Sequence, residues 1–126
     1  MTEAEAIATD VAITDVCRNR LKKTYIVSRH QGAIEWLNKQ GYWGCVIPQW
    51  SFRNTMILNQ GDVVIGTLPF PTIRDIIDLG ATFIYIHLPE VFFTQRGQEL
   101  TPEEMDRAGA LLYYIRNLEM EIVKWR

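Results

Sequence analysis

The sequence holds little cysteine, little histidine and no excess of charge of one sign. Two cysteines, Cys17 and Cys45, and two histidines, His30 and His87, are spread along 126 residues. A structural zinc site draws on four close ligands, usually two from a short knuckle, and this spacing excludes one. A single disulfide is formally possible, but free thiols in a reducing compartment are the expectation. Thirteen Lys and Arg stand against fifteen Asp and Glu, a formal net charge of -2. A protein that grips long RNA or DNA through counterion release needs a net basic face, so that class is excluded, whereas a small polyanion held at a focused site is not. No apolar run approaches the length of a membrane span, and the start Thr2-Glu3-Ala4-Glu5 is acidic where a secretion signal is basic. No membrane partner and a cytoplasmic location are therefore expected.

What is present reads as an ordinary globular chain, 48% hydrophobic and 22% charged. That length supports one core and one domain. Residues 1–22 read as an N-terminal arm, partly helical or flexible, ahead of an α/β domain over 23–126. In the arm Thr2 and Glu5 fit a capping box, and Ile7, Val11 and Val16 form a weak stripe ending in Arg18, Arg20, Lys22 and Lys23.

Thr24 to Ser28 is a β-branched and aromatic strand that runs into Arg29-His30-Gln31-Gly32 and a helix ending near Gln40, with Gly41 just past it. Residues 42–60 are less legible; Tyr42 to Ile47 can form a strand that Pro48 confines to an edge or ends. Asp62 to Gly66 is a continuous apolar run bounded by turn residues, as in a strand buried on both faces. Thr67 to Pro71 turns it into a helix with proline near its first position and Gly80 past its end, and Ala81 to His87 is a third buried strand. A loop from Leu88 to Leu100 leads to Thr101-Pro102-Glu103-Glu104, a capped helix start, with Met105, Ala108, Leu112 and Ile115 on one buried face. The tail from Glu119 to Arg126 alternates as a final edge strand does, although the helical period also continues through Ile122. The alternation of strand and helix predicts a small Rossmann-like α/β domain, a mostly parallel sheet flanked by helices.

Ligands of such sheets bind beyond the carboxyl ends of the strands. Three segments should converge there: Ser28-Arg29-His30, Gly66-Thr67-Leu68, and His87-Leu88 with its loop. Helix N-termini offer unpaired N–H groups, and Ser28, Gly32 and Thr67 are small enough to admit a phosphate. The expected site is an anion cradle with one arginine and one histidine, joined by Arg96 from the long loop. Duller roles compete: His30 as a helix-entry residue, Arg29 paired with Glu35, His87 as a packed or capping residue, and Glu99 as loop support. Trp36, Trp43, Trp50 and Trp125 fit core or dimer contacts, with base stacking as the second use. The pair Arg29-His30 also invites comparison with histidine phosphatases, but Gln31 stands where that motif has glycine.

Thr24-Tyr25-Ile26-Val27-Ser28-Arg29-His30, then Gly32-Ala33 and Glu35-Trp36-Leu37, resembles the opening signature of the Csx-sixteen family, small ancillary proteins of type III CRISPR systems. Gly61 to Pro69 is similar to its central signature, and Gly80-Ala81, His87-Leu88-Pro89, Arg96-Gly97 and Glu99-Leu100-Thr101 to its third block. The likeness runs from about Thr24 to Ile115; the arm and the stretch Tyr42 to Asn59 fall outside it. The resemblance implies an antagonist of cyclic oligoadenylate signalling that binds cyclic tetra-adenylate and cuts it as a ring nuclease, with a non-catalytic sponge for the ring as the alternative. A ring of four nucleotides suits a two-fold homodimer. The chemistry implied is metal-independent attack of a ribose 2′-OH on its own 3′ phosphate, with no cofactor and no acidic cluster for a metal. Ser28, Arg29 and His30 would carry it. Arg29 steadies the phosphate, Ser28 and Thr67 orient it, and His30 moves protons, while Gly32, Gly66, Leu68 and Arg96 complete the ligand contacts.

Overall fold

The computed structural model describes residues 22–89 and 100–123. The apolar runs pair side by side as strands, and each pairing follows from the two-residue period of a pleated backbone. The elements are β1 (Thr24–Val27), α1 (Gln31–Lys39), β2 (Cys45–Ile47), α2 (Phe52–Met56), β3 (Val63–Gly66), α3 (Phe70–Asp78), β4 (Thr82–His87), α4 (Pro102–Arg107) and β5 (Leu111–Ile115). They form one five-stranded sheet in the order β2-β1-β3-β4-β5. The first four strands are parallel and β5 pairs antiparallel with β4. A small, mostly parallel α/β domain is thus present.

Register sorts the side chains into two layers. Tyr25, Val64 and Phe83 stand opposite one another across β1, β3 and β4, and Ile26, Ile65 and Ile84 form the next row, facing the other way. The first row packs with Ile73 and Ile76 of α3 and with Leu58 after α2. The second packs with Trp36 and Leu37 of α1 and Met105 of α4. Each of these fully buried aliphatic or aromatic side chains stabilises the fold by about 1.5–3 kcal/mol relative to exposure. The expected helix ends are also present, with Gly41 and Gly80 at positive φ just past α1 and α3. Pro48 directly follows β2, an edge strand.

Two expectations are corrected at the carboxyl end of the chain. Met105 and Ala108 belong to the α4 turn, but Leu112 and Ile115 do not continue its buried face, because both lie on β5. Gly109, at φ 82°, ends the helix directly after its C-cap Ala108. Six helical residues rise only about 9 Å, so the chain is still near the carboxyl end of β4 when it turns. Leu111 therefore meets His87 and the strand runs back antiparallel. Nor do the described residues of the tail form an edge strand, since 116–123 adopt neither helix nor strand, while 124–126 lie outside the described residues. Its path follows α3 instead: Leu118 packs against the Tyr25–Phe83 layer and the Arg74 guanidinium donates to the Met120 carbonyl at 3.3 Å.

Among the tryptophans, Trp36 is buried, Trp50 is half-buried and Trp43 is 70% exposed. The expected arm, apart from Lys22, lies outside the described residues, as do residues 90–99 with Arg96 and Glu99, and Trp125. No helix among the described residues is long and apolar enough to cross a membrane.

Candidate functional site

The chain leaves β1 through α1 to β2 on one side, while β3 lies on the other side of β1 and leads through α3 to β4. Crossovers of one hand carried in opposite directions must place α1 and α3 on opposite faces, and the two cores confirm that they do. The loops after β1 and β3 therefore part, leaving a crevice at the carboxyl edge where the strand order reverses. A cavity of about 400 Å³ occupies that crevice. Ser28, Arg29 and His30 line it from β1, and Thr67 and Leu68 from β3. Five of the expected site residues are thus brought together.

Local hydrogen bonding shows which groups there are spent on structure. The Ser28 amide donates to the Ile47 carbonyl at 3.1 Å, tying the end of β1 to β2. The Ser28 hydroxyl accepts from the His30 amide at 3.0 Å, a tight turn that sets His30 as the N-cap of α1. The Thr67 hydroxyl donates to the Ile86 carbonyl at 3.1 Å, so it meets a ligand only as an acceptor. At the start of α1 no side chain caps the helix, and the amides of Ala33 and Ile34 both turn back to the His30 carbonyl. Among the described residues, the donors that remain at this edge include the exposed Arg29 guanidinium on the cavity wall and, just beyond the lining, the first amides of α1 at Gln31 and Gly32.

Other expected residues sit differently. Gly32 and Gly66 are buried and outside the cavity lining. Any Cβ on Gly32 would overlap the Leu100 carbonyl oxygen, and one on Gly66 would lie 2.9 Å from the Val27 carbonyl oxygen. Their smallness serves close backbone approach. His87 is exposed but lies off the cavity, with its ring edge-on to Tyr113 at 6.1 Å between centroids. Arg96 falls outside the described residues.

Sequence reasoning weighed Trp50 for base stacking but did not place it in a third wall of the site. Pro48, Gln49 and Trp50, the residues that follow β2, line the same cavity. The Trp50 ring is held twice: its indole N–H donates to the Thr55 hydroxyl at 2.8 Å, and it stands edge-to-face with Tyr25 at 6.0 Å and 75°. Val27, Ala33, Ile86, Leu88 and Met105 complete the apolar part of the lining. The signal that could have found this wall is Pro48 itself, which marks where a strand ends at the functional edge.

Electrostatics below the cavity are set by Tyr25, whose phenol is pushed up to about 12, first by burial and then by the negative charge of Asp62 and the nearby Cys45. Asp62 is buried and accepts from the amides of Lys23 and Asn59 at 3.0 and 2.9 Å, which pins the start of β1 to the turn before β3. Among the described residues no group of three or more His, Cys, Asp or Glu lies together in a way that could hold a metal ion.

The model of one protein family, described as "Putative CRISPR-associated protein (Cas_VVA1548)", matches residues 25–117. No curated protein and no solved structure matches the chain. The matched span contains all five strands, apart from Thr24 at the start of β1, and every described residue that lines the cavity.

Proposed function

We propose a function from one premise: the chain belongs to the CRISPR-associated Cas_VVA1548 family. The protein is a ring nuclease that binds and cleaves cyclic tetra-adenylate, switching off type III antiviral signalling, as its likeness to the Csx-sixteen family implies. The observation that carries this reading is the cavity at the β1–β3 switch point, which gathers Arg29 and His30 around one small space beside the uncapped start of α1.

The space suits one nucleotide unit better than a ring. At about 400 Å³ it lies near the lower end of small-ligand clefts, which run from about 300 to 1,000 Å³. A ring of four therefore calls for two copies of the chain, each taking the same part of the ring through the same loops, as in a two-fold homodimer.

The reaction is an in-line displacement at phosphorus. The ribose 2′ oxygen forms a bond to its own 3′ phosphate while the bond from phosphorus to the 5′ oxygen of the next nucleotide breaks. The products are a 2′,3′-cyclic phosphate and a free 5′-OH. One proton leaves the 2′ hydroxyl and one reaches the 5′ oxygen, so no water is consumed. His30 serves one of these transfers. Arg29 and the first amides of α1 neutralise the charge that develops on the phosphate oxygens. Ser28 acts through the turn it closes: by accepting the His30 amide it fixes where Arg29 and His30 leave the strand. Holding the hydroxyl in line supplies about 7–11 kcal/mol at best, which makes positioning the main task of the fold.

The test is incubation of excess labelled cyclic tetra-adenylate with the protein in EDTA. Linear products ending in 2′,3′-cyclic phosphate over many equivalents are expected, with Arg29→Ala losing about 30-fold to 150-fold in kcat/KM, the loss of a charged phosphate partner at about 2–3 kcal/mol. A ring that survives but co-elutes with the protein would replace the nuclease by a sponge. A ring that neither binds nor breaks would overturn both.

A further inference from the structure

We infer that the β2–α2 turn is a base subsite in which Trp50 stacks on the purine and Gln49 reads its edge, so that this turn, and not the phosphate cradle, sets the preference for adenine. The inference rests on the nucleotide reading of the site. Three observations carry it.

The first is the state of the Trp50 ring. Its only polar group is already committed to the Thr55 hydroxyl, and Thr55 is itself buried. Tyr25 braces the ring from the side at 75°. A half-buried indole whose N–H is spent and whose tilt is fixed by two partners offers a ligand only its apolar, π-rich surface. That surface lines the same cavity as Arg29 and Thr67. Stacking on an aromatic ring is how proteins hold bases without regard to sequence, and a fixed ring gives up little freedom when it stacks.

The second is Gln49. It is exposed, lines the cavity, and its carboxamide makes no hydrogen bond with the described residues. A carboxamide presents one acceptor and two donors from a single plane. The 6-amino group and N7 of adenine present the complementary donor and acceptor, and glutamine pairs with them in a bidentate way. Other bases mismatch one of the two positions.

The third is placement. Pro48 fixes the backbone directly after β2, and Gln49 and Trp50 follow in consecutive positions at the cavity wall. Arg29 and His30 approach from β1, the next strand in the sheet. Phosphate and base contacts thus come from different loops and can be separated by mutation.

Binding is measured by calorimetry on the full chain with two probes lacking the 2′ nucleophile, 2′-deoxy cyclic tetra-adenylate and its inosine counterpart, which keeps the ring system but exchanges the amino donor for an acceptor. Wild-type protein is expected to prefer the adenine ring by about tenfold or more. Gln49→Ala should bring the two probes to equal affinity with little change for the inosine ring. Trp50→Ala should weaken both by about tenfold or more, and Trp50→Phe, which keeps an aromatic face and spares the fold, should recover most of that loss. Arg29→Ala should weaken both probes while leaving the preference for adenine intact. If Gln49→Ala keeps the wild-type preference and Trp50→Phe and Trp50→Ala bind as wild type, while Arg29→Ala loses affinity, the base subsite is wrong and the nucleotide reading stands. If the wild-type protein binds neither probe, the nucleotide reading fails and the subsite with it.

Discussion

Gly32 shows how much a single position can decide at this edge. It is the second residue of α1, and the segment leading into α4 crosses so closely that any side chain there meets the Leu100 carbonyl. Gly32→Ala should therefore lower stability by about 1–3 kcal/mol, read as a shift of the denaturant midpoint. An unchanged midpoint would contradict the contact. Tyr25 makes a prediction of a different kind. Its phenol stays protonated in the fold up to about 12, against about 10 in an unfolded chain. Its contribution is complete below pH 10 and is lost as pH rises from 10 to 12, because only the unfolded state gains by ionising there. The melting temperature should fall across that window, and Tyr25→Phe should flatten the fall. A slope identical in the variant would assign alkaline unfolding to another group.

Elements differ in how openly the sequence announces them. β1, β3 and β4 are central or nearly so, buried on both faces, and their continuous apolar runs admit one reading. β5 does not. Leu111 to Ile115 follows α4 after a short turn, and its apolar residues fit a helical repeat as well as a strand; only Gly109, at positive φ, separates the two readings. Gly109→Ala should thus cost about 1 kcal/mol or more, with the unfolding transition as readout, since alanine is strained at that φ. α2 is five residues long, below the length at which periodicity can be read. The edge strand β2 is three residues with two exposed, so it lacks the buried signature of its neighbours, and the cavity wall that follows it went unread for that reason. By contrast Ser28 to His30 and Thr67 to Leu68 were legible because they follow unmistakable strands. Helices α1 and α4 are tied by the Trp36 indole N–H, which donates to the Asp106 carboxylate at 2.7 Å. Asp106→Ala should destabilise the fold by about 1.5–3 kcal/mol, the range for hydrogen bonds to charged groups. A stability equal to wild type would mean that the helix pair is held by Met105 and its apolar neighbours together with the exposed Lys39–Glu103 ion pair.

At the scale of the whole molecule, the near balance of charge and the small size of the cleft point the same way. A net charge of -2 supplies little bulk attraction for long RNA or DNA, while in the proposed reading one guanidinium and one uncapped helix start hold a single phosphate. In the proposed reading a ring of four takes two such clefts, so the protein with ring bound should have the mass of a dimer by light scattering, and a monomer mass would contradict the two-fold arrangement. The central claim is that the ligand enters the crevice between β1 and β3. The most direct measurement is an NMR titration with 2′-deoxy cyclic tetra-adenylate, which lacks the nucleophile of the proposed reaction. The account predicts that the largest amide shifts fall on residues 28–33, 48–50 and 67–68. Shifts confined to the opposite edge of the sheet, around Gly44, Gly61 and Gly80, would contradict it.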